Sequence, residues 1–359
     1  TKMQQHTSLS DWDLSSGKSV VVMTATTPRD PYYGKYFNEI FNFQIDLGKK
    51  ILYDGGDNFL VLADPSVADK FRSELPAKCV AEYLIDDIWV RDFAPIGLVR
   101  HAWFKYQPSY LNKSEASSVQ QQFRRFLSLN SHLFGDLHSA AVGDSTAASI
   151  RLDGGNVVDN QPAAAPADSL AVVTRRVVRD NRRQLTEDRL MAVLRRQLDC
   201  RRLAAIPEPE NDTTGHADGL VAFIDENRLA VQLQTDAGSD RDDAESRLLM
   251  QELADQLGSG VRLVKLEASA PVRQTWRRFD SACGLHVNLL ATRRSLYVPV
   301  FGSDEANRKL GQSAELDSRV LAAIRANTSK TVVPVDVPNA ICRMGGSVRC
   351  LTWAFAQSL

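Results

Sequence analysis

Residues 214–225 read Thr-Gly-His-Ala-Asp-Gly-Leu-Val-Ala-Phe-Ile-Asp, in which two ionisable residues between glycines lead into an apolar run. The run Leu-Val-Ala-Phe-Ile has the length and composition of a buried β-strand. His216 and Asp218 are two residues apart, so an extended backbone would present both side chains on the same side. The glycines on either side would let another group approach the backbone closely. The segment therefore predicts a strand with a polar pair at its beginning.

Short apolar runs and amphipathic segments alternate along the rest of the chain. The spacing predicts strands at residues 20–25, 58–63, 150–152, 171–174, 219–224, 229–233, 261–266, 286–291, 296–300 and 331–335. It predicts helices at residues 36–47, 65–75, 115–129, 186–198, 242–257 and 317–326. Strands and helices alternate instead of forming separate blocks, which is typical of the α/β class. The Ala- and Pro-rich stretch 161–168 is interpreted as a loop near a site.

The overall composition excludes some classes of partner. The 43 Lys and Arg residues balance 44 Asp and Glu residues, giving a formal net charge of -1. Such a balance argues against a nucleic-acid or membrane-surface binder, and the Arg-rich stretches 175–183 and 195–202 are interpreted as solvated faces. No apolar stretch is long enough to cross a bilayer. A cytoplasmic location is expected, with a trimmed secretion signal as the alternative because the chain begins with Thr1.

Two further segments place a carboxylate next to turn-forming residues. Asp92 lies in Trp-Val-Arg-Asp-Phe-Ala-Pro at 89–95, and Asp153 lies in Leu-Asp-Gly-Gly-Asn at 152–156. Taken alone, each has a structural interpretation, since Asp often caps a turn and Gly-Gly often forms one. Only their combination with other reactive residues indicates chemistry.

Cys350 is the cysteine with the most functional context. It lies in Gly-Gly-Ser-Val-Arg-Cys-Leu-Thr at 345–352, and the neighbouring Arg349 is expected to lower the pKa of its thiol. The alternative is an inert thiol packed beneath Leu351 and Trp353. The five cysteines are odd in number and contain no Cys-x-x-Cys pair, so neither a zinc site nor a small disulfide framework is predicted. His216 and Asp218 could ligate a metal, but no second His or Cys cluster completes such a site.

These residue types together match the chemistry of a guanidinium group. A guanidinium is planar and cationic, and its N–H donors fit carboxylates in a forked geometry. Two carboxylates to hold it, a thiolate to attack its carbon and a histidine to move protons are the minimum set for displacing ammonia.

The segments resemble the guanidino-group-modifying (pentein) superfamily. Within it, they are most similar to the agmatine deiminases and the Porphyromonas-type peptidylarginine deiminases. The matching segments occur in the order and spacing of that family, at 89–95, 152–156, 214–225, 286–302 and 345–352. The resemblance implies one catalytic domain over residues 1–359, an α/β propeller of five ββαβ-like units around a pseudo-fivefold axis. The site would lie in the central channel.

The resemblance also implies a role for each matching residue. Cys350 would be the nucleophile, and His216 would protonate the departing ammonia and then activate water. Asp92 and Asp218 would hold the guanidinium nitrogens. Asp153 stands where relatives often carry Glu and would orient His216.

Two more positions are implied to line the site. Trp89 would flank the aliphatic stem of the substrate, and Asn288 matches an Asn that lines the site in some relatives. The implied reaction turns a guanidino group into a ureido group, as in citrulline formation from arginine or a step of putrescine biosynthesis from agmatine. It requires no metal and no cofactor. The implied substrates are agmatine, arginine or an arginine side chain in a peptide, and a homodimer is the expected assembly.

Three alternatives stay open. An amidinotransferase would share the fold and the thiol intermediate but use an amine as acceptor in place of water. A pentein-fold binding protein without catalysis would not need the complete set of reactive residues. A cysteine protease is disfavoured because neither an oxyanion hole nor a substrate groove is recognisable in the sequence.

Overall fold

The computed structural model gives the secondary structure of most of the chain. It describes residue 12 and residues 17–97, 101–108, 110–138, 149–160, 169–209, 212–234 and 240–356. The strands are β1 Val20–Thr24, β2 Asn58–Ala63, β3 Val80–Glu82, β4 Val158–Asp159, β5 Leu170–Thr174, β6 Arg202–Ile206, β7 Val221–Asp225, β8 Arg228–Val231, β9 Arg262–Lys265, β10 Thr275–Trp276, β11 Phe279–Asp280, β12 Leu290–Ala291, β13 Ser295–Val300, β14 Thr331–Asp336 and β15 Trp353–Phe355. The α-helices are α1 Phe37–Lys49, α2 Pro65–Arg72, α3 Val90–Phe93, α4 Lys113–Leu129, α5 Ser131–Phe134, α6 Arg176–Asn181, α7 Glu187–Gln197, α8 Asp240–Leu257, α9 Glu305–Lys309, α10 Ala314–Arg325 and α11 Asn339–Cys342. Within these ranges, no helix is both long and apolar enough to cross a membrane.

Local sequence explains where several helices begin. Asp64 caps α2 by accepting a hydrogen bond from the backbone N–H of Ser66, and Pro65 occupies the first helical position. Asn112 and Glu115 form a reciprocal capping box at the start of α4. The helices therefore start where the sequence satisfies the otherwise unpaired N–H groups of a first turn.

Four sheets share one plan. In β4-β5-β6, β7-β8-β9 and β12-β13-β14, the first strand pairs antiparallel with the second, and the second pairs parallel with the third. β15 and β1 pair antiparallel, β1 and β2 pair parallel, and β3 extends that sheet. The parallel strands in each sheet are joined through helices, as parallel neighbours require a long crossover.

The segment between β3 and β4 repeats this order in reduced form. An antiparallel bridge joins Ile96 to Ala102, and a parallel bridge joins Lys105 to Arg151. Helix α4 lies between Lys105 and Arg151 in the chain, in the position of the crossover helices of the sheets. The described residues thus contain a fifth antiparallel-then-parallel arrangement that does not widen into a sheet.

Strand β1 is buried on both faces. In β1, Val21 and Met23 belong to one hydrophobic cluster, whereas Val20 and Val22 belong to another. Alternate side chains of a strand point to opposite faces, so both faces of β1 pack against apolar neighbours. This burial explains why the strand is a continuous apolar run and lacks the alternation of a half-exposed strand.

Most predicted elements are confirmed, and the differences lie close to the polar segments. The predicted strand 286–291 is reduced to Leu290–Ala291, and the predicted strand 150–152 contributes only the bridge at Arg151. Strand β6 was missed because its Ala-rich sequence, Arg-Leu-Ala-Ala-Ile, has weak β propensity. The stretch 161–168, interpreted as a loop near a site, lies outside the described residues.

Candidate active site

The polar residues singled out in the sequence lie just ahead of the first strand of each unit. In chain order they are Asp92 before the bridge at Ile96, Asp153 before β4, His216 and Asp218 before β7, Asn288 before β12 and Cys350 before β15. Each is thereby placed at the corresponding point of its own antiparallel-then-parallel unit. Residues that are far apart in sequence can therefore meet at one place.

A cavity of about 700 Å³ gives access to part of this group. Cys350, His216, Asp92 and Trp89 line it. The remaining predicted residues, Asp153, Asp218 and Asn288, are not among the lining residues and lie against those that are. The structure therefore brings all seven residues together, with four of them lining the cavity and three lying behind those four.

His216 lies between two carboxylates. Its Nε2 is 3.3 Å from Asp153 Oδ2, and its Nδ1 is 3.8 Å from Asp92 Oδ1. Burial alone would lower the pKa of His216, but the negative charges of Asp92 and Asp153 outweigh it and raise the pKa to about 10. The imidazole is thus cationic at neutral pH and has a proton to give. Asp153 therefore reaches the imidazole although an aspartate is one methylene group shorter than a glutamate.

Asp92 is held at the cavity by the Gly-Gly turn after Asp153. The backbone N–H of Gly155 donates to Asp92 Oδ1 at 3.1 Å. A Cβ atom at Gly155 would lie 2.7 Å from that same oxygen and would also clash with the His216 ring. Glycine is therefore required there for the close approach. Burial raises the pKa of Asp92 to about 7, and the nearby charge of His216 opposes the rise.

Cys350 is buried beside an amide and a carboxylate. Asn288 Nδ2 donates to Cys350 Sγ at 3.2 Å, and the sulfur lies 3.9 Å from Asp218 Oδ2. Burial, Asp218 and Asp92 raise the pKa of the thiol well above its usual range. The expectation of a lowered thiol pKa next to Arg349 is therefore wrong. Burial and the two nearby carboxylates favour the neutral thiol over the thiolate.

Arg349 is engaged with Asp218. Its Nη1 donates to Asp218 Oδ2 at 2.9 Å, and its Nη2 donates to the carbonyl oxygen of Val157 at 2.7 Å. Both side chains of the pair are buried. A guanidinium of the chain itself is therefore bound to Asp218, one of the two carboxylates that were expected to hold the substrate guanidinium. The other, Asp92, lines the cavity and accepts a weak hydrogen bond from the Tyr110 hydroxyl at 3.5 Å.

The segment carrying His216 is not extended, which corrects one expectation. Residues Ala217–Gly219 form a tight helical turn, and His216 is the residue before it. Asn156 fixes the turn by accepting from the backbone N–H of Ala217 at 3.2 Å. His216 and Asp218 consequently have different neighbours: His216 faces Asp153 and Asp92, and Asp218 faces Arg349 and Cys350.

A second glycine brings Trp89 close to the nucleophile. A Cβ atom at Gly346 would lie 2.5 Å from the Trp89 ring and 2.9 Å from Cys350 Cβ. The Trp89 indole N–H donates to the Tyr33 hydroxyl at 3.0 Å, which fixes the ring plane. The Trp89 ring thus forms a flat apolar wall of the cavity beside Cys350.

Several cavity residues were not found from the sequence. Trp276, Arg277, Arg278 and Phe279 lie on a short hairpin at the cavity, and Tyr110 packs edge-on against Phe279 at a ring distance of 5.0 Å. The sequence does not predict this hairpin, because strands of two residues have no detectable periodicity. Only the Trp-Arg-Arg-Phe sequence itself could have indicated that aromatic and cationic side chains lie together there.

Two of the cysteines form a disulfide bond that the sequence did not predict. Cys283 and Cys342 form a buried disulfide, leaving Cys79, Cys200 and Cys350 as free thiols. Spacing alone does not reveal such a pair, because it joins residues 59 positions apart. In the described part of the chain, no three His, Cys, Asp or Glu side chains are grouped to hold a metal.

Sequence comparison identifies a family that covers nearly the whole chain. The pattern of the Porphyromonas-type peptidyl-arginine deiminase family matches residues 19–355. A search of curated proteins returned no match.

Solved structures of similar fold extend over the same length. The C. jejuni agmatine deiminase has a TM-score of 0.69 at 18% identity, covering 95% of this chain and 94% of that one. A putative arginine deiminase from Porphyromonas gingivalis has a TM-score of 0.69 at 17% identity, with coverages of 95% and 96%. The Enterococcus faecalis agmatine deiminase has a TM-score of 0.67 at 16% identity, with coverages of 96% and 98%. These likenesses show that the chain shares the mixed α/β fold of these structures.

Proposed function

Because the chain belongs to the Porphyromonas-type peptidyl-arginine deiminase family, we propose that it hydrolyses a guanidino group to a ureido group and ammonia. The observation that carries the proposal is the meeting of Cys350, His216 and Asp92 at one cavity. A thiol, an imidazole that is protonated at neutral pH and a carboxylate are the groups this hydrolysis uses. Agmatine deiminases of the same fold support the reaction class.

The first step is binding of the guanidinium between carboxylates. Asp92 lines the cavity, and Asp218 Oδ2 lies 3.9 Å from Cys350 Sγ. A planar cation between them would place its central carbon beside the sulfur. Asp218 joins this contact when its bond to Arg349 is shared or exchanged. The Trp89 ring would cover the aliphatic stem.

Binding of the substrate also activates the thiol. Asp218 and Asp92 are among the causes that raise the pKa of Cys350, and an arriving cation offsets their negative charge. The pKa of the thiol then falls, the thiol releases its proton to solvent, and a thiolate forms next to the guanidinium carbon. The hydrogen bond from Asn288 to the sulfur stabilises that thiolate.

His216 serves as the acid of the first half-reaction. The thiolate adds to the guanidinium carbon, and a tetrahedral adduct forms. His216 gives its proton to the departing amino group, the C–N bond breaks and ammonia leaves, so an amidino-thioether cation remains on Cys350. Asp153, bonded to the imidazole at 3.3 Å, stabilises its cationic form and holds its orientation.

His216 then serves as the base of the second half-reaction. It takes a proton from water while the water oxygen adds to the amidino carbon. The C–S bond breaks while the added hydroxyl group gives its proton to the leaving sulfur, so the ureido product leaves and Cys350 returns as a thiol. The net change adds one water to the guanidinium and releases one ammonium ion, that is, ammonia and the proton that the thiol lost to solvent, and His216 ends protonated as it began.

The chain contains five antiparallel-then-parallel units that follow one another in sequence. We propose that the four sheets and the bridged segment around α4 are five ββαβ-like units of an α/β propeller, together forming a single domain. Each unit supplies to the centre the segment just ahead of its first strand. This arrangement explains how five segments that are far apart in the sequence can contribute to one site.

Ammonia release tests the proposal directly. The purified protein is incubated with arginine, agmatine or an arginyl peptide, without any added amine, and ammonia and ureido product are measured together. Equal amounts of both products support the hydrolase. Turnover that needs an added amine would indicate an amidinotransferase, and the absence of both products from every compound would favour a binding protein.

A further inference from the structure

The side-chain amide of Asn288 is buried, and each of its two polar atoms contacts two partners. Its Nδ2 donates to Cys350 Sγ at 3.2 Å and to the carbonyl oxygen of Asp218 at 3.4 Å. Its Oδ1 accepts from the Ser347 hydroxyl at 3.0 Å and from the backbone N–H of Cys350 at 3.5 Å. The amide therefore uses both of its donors and both of its acceptor positions.

The orientation of this amide decides whether the sulfur faces a donor or an acceptor. A half-turn about the last side-chain bond of Asn288 would place the amide oxygen against Cys350 Sγ and against the carbonyl oxygen of Asp218. A thiolate and a carbonyl oxygen both accept hydrogen bonds, so both contacts would become repulsive. Only the observed orientation gives a thiolate at Cys350 a hydrogen bond that stabilises its charge.

Ser347 supplies the shorter of the two hydrogen bonds to the Asn288 oxygen. An amide oxygen can only accept, so the serine hydroxyl must be the donor. The two residues are 0% and 2% exposed, and bulk water therefore does not compete for this bond. The bond is the strongest contact that distinguishes the oxygen end of the amide from the nitrogen end.

The main chain holds Ser347 and Asn288 at a fixed separation. The backbone N–H of Leu351 donates to the Ser347 carbonyl oxygen at 3.2 Å, which closes the turn between Ser347 and Cys350. The backbone N–H of Arg349 donates to the Asn288 carbonyl oxygen at 3.0 Å, which ties this turn to the segment of Asn288. The hydroxyl and the amide are therefore placed opposite each other by the backbone.

The groups that favour the thiolate are few, and Ser347 is involved in both of those next to the sulfur. Burial, Asp218 and Asp92 raise the pKa of the Cys350 thiol, whereas the Asn288 amide and the backbone N–H of Ser347 lower it. Ser347 provides the second of these donors directly and bonds to the first. Removing its hydroxyl would therefore weaken the stabilisation of the thiolate without removing any group that touches the sulfur.

We propose that Ser347 is a positioning residue that fixes the Asn288 amide so that its N–H group, and not its oxygen, faces the nucleophilic sulfur. The inference rests on the proposed function and deepens it, since it assigns a residue that controls how readily Cys350 ionises. Ser347 is not among the residues that line the cavity, so it acts on the reaction through Asn288 and not through the substrate.

Alkylation of Cys350 measures the reactivity of the sulfur without requiring turnover. Native protein and Ser347→Ala are treated with iodoacetamide and with a haloacetamidine at several pH values, and peptide mass mapping gives the rate at Cys350. Below the pKa of a thiol, the rate follows the thiolate fraction. We expect alkylation of Ser347→Ala to be about tenfold slower at neutral pH, which corresponds to a displacement of its pH profile by about one unit to higher pH.

Turnover provides a second readout that a purely structural role would not change. The acidic limb of the kcat profile reports ionisation of the thiol in the substrate complex. In Ser347→Ala this limb is expected to move to higher pH by about one unit, and kcat at neutral pH to fall about tenfold. The KM is expected to stay within about twofold of native, because the hydroxyl makes no contact with the cavity.

A matched control removes an equally buried hydroxyl elsewhere. Ser295 is 0% exposed, and its hydroxyl donates to the carbonyl oxygen of Gly55 at 2.8 Å. Ser295→Ala is expected to lower Tm about as much as Ser347→Ala, because each loses one buried hydrogen bond. Its alkylation rate at Cys350 and its kcat profile are expected to match those of the native protein.

A double-mutant cycle tests whether Ser347 acts through Asn288. Asn288→Ala is expected to slow alkylation of Cys350 about ten- to a hundredfold, because the amide donor is lost. Adding Ser347→Ala to Asn288→Ala is expected to change the rate by less than about twofold, since the hydroxyl then has no amide to orient.

The outcomes separate this inference from the proposed function. Slower alkylation in Ser347→Ala that disappears in the Asn288→Ala background supports the inference. A native alkylation rate in folded Ser347→Ala would overturn it and leave the hydrolase intact. Losses that multiply in the double variant would also overturn it, because Ser347 would then act independently of Asn288. If no compound yields ammonia, the proposed function fails, and iodoacetamide still decides whether Ser347 controls the reactivity of the sulfur.

Discussion

Two buried histidines, His216 and His286, show that a histidine–aspartate pair does not by itself indicate catalysis. His286 Nε2 lies 2.8 Å from Asp317 Oδ1, and its Nδ1 lies 3.0 Å from the side chain of Gln232. Asp317 also accepts from the backbone N–H groups of Phe301 and Gly302. Both ring nitrogens and the carboxylate are therefore fully used in holding the fold.

His216 differs in what surrounds its two nitrogens. It faces two carboxylates and lines the same cavity as Cys350. Its longer contacts, 3.3 and 3.8 Å, leave the ring able to exchange a proton with a ligand. Access to the cavity and an excess of negative charge therefore separate the histidine that can react from the one that holds structure.

The largest expected effect is on turnover when His216 is changed. His216→Ala removes the acid and the base of the proposed mechanism, so kcat is expected to fall about 10³-fold, within the range for general acid–base catalysis. Steady-state ammonia release measures kcat, and circular dichroism checks that the variant is folded. A loss of less than about tenfold would remove His216 from the chemistry.

A smaller effect is expected when Asp153 is changed. Asp153→Asn removes one of the charges that raise the pKa of His216, so that pKa falls from about 10 and the alkaline limb of the kcat profile moves to lower pH. Turnover near neutrality is expected to fall about tenfold because a charge-assisted hydrogen bond is lost. Asp153→Glu is the matched control, since it restores the charge. An unchanged alkaline limb in Asp153→Asn would contradict the pairing.

The opposite outcome is expected for the structural histidine. His286→Ala leaves Asp317 and Gln232 without their buried partner, so the free energy of unfolding is expected to fall by about 2–4 kcal/mol. Denaturant unfolding measures this loss. The kcat per folded molecule is expected to remain within about twofold of native, because the ring takes no part in the reaction. If kcat fell as far as in His216→Ala, the distinction between the two histidines would be wrong.

The last expected effect is a change in how stability depends on pH. The pKa of His216 is raised from 6.5 to about 10 in the folded protein, so its stabilising contribution is complete below pH 6.5 and is lost as pH rises through 10. His216→Gln is therefore expected to show a flatter decline of unfolding free energy between those two values. Denaturant titrations at several pH values measure the slope. The same slope in both proteins would show that His216 is not cationic in the fold.

The sequence predicted the buried strands better than the short elements at the site. Val20–Thr24 and Asn58–Ala63 are long apolar runs whose burial on both faces leaves a clear pattern. The segment around Asn288 was predicted as a strand, but its polar side chains bond to residues distant in sequence. Local patterns do not contain such partners.

The sequence selected residues that the structure brings together, but it did not predict the electrostatics among them. Asp92, His216 and Cys350 could be selected because reactive types follow turn-forming residues, and the family resemblance ordered them. The raised pKa of the Cys350 thiol depends on burial and on Asp218 and Asp92, which only the fold brings near. The occupation of Asp218 by Arg349, at 2.9 Å, is likewise a tertiary contact. The charge of a sequence neighbour therefore does not predict the pKa of a side chain at this site.

Covalent labelling with a haloacetamidine tests the central claim most directly. The reagent mimics a guanidinium, so it should bind between the carboxylates and alkylate the sulfur beside them. Peptide mass mapping is expected to find the label on Cys350, with labelling suppressed by a guanidino substrate. Labelling mainly of Cys79 or Cys200, the other free thiols, or labelling of Cys350 that the substrate does not suppress, would contradict the account.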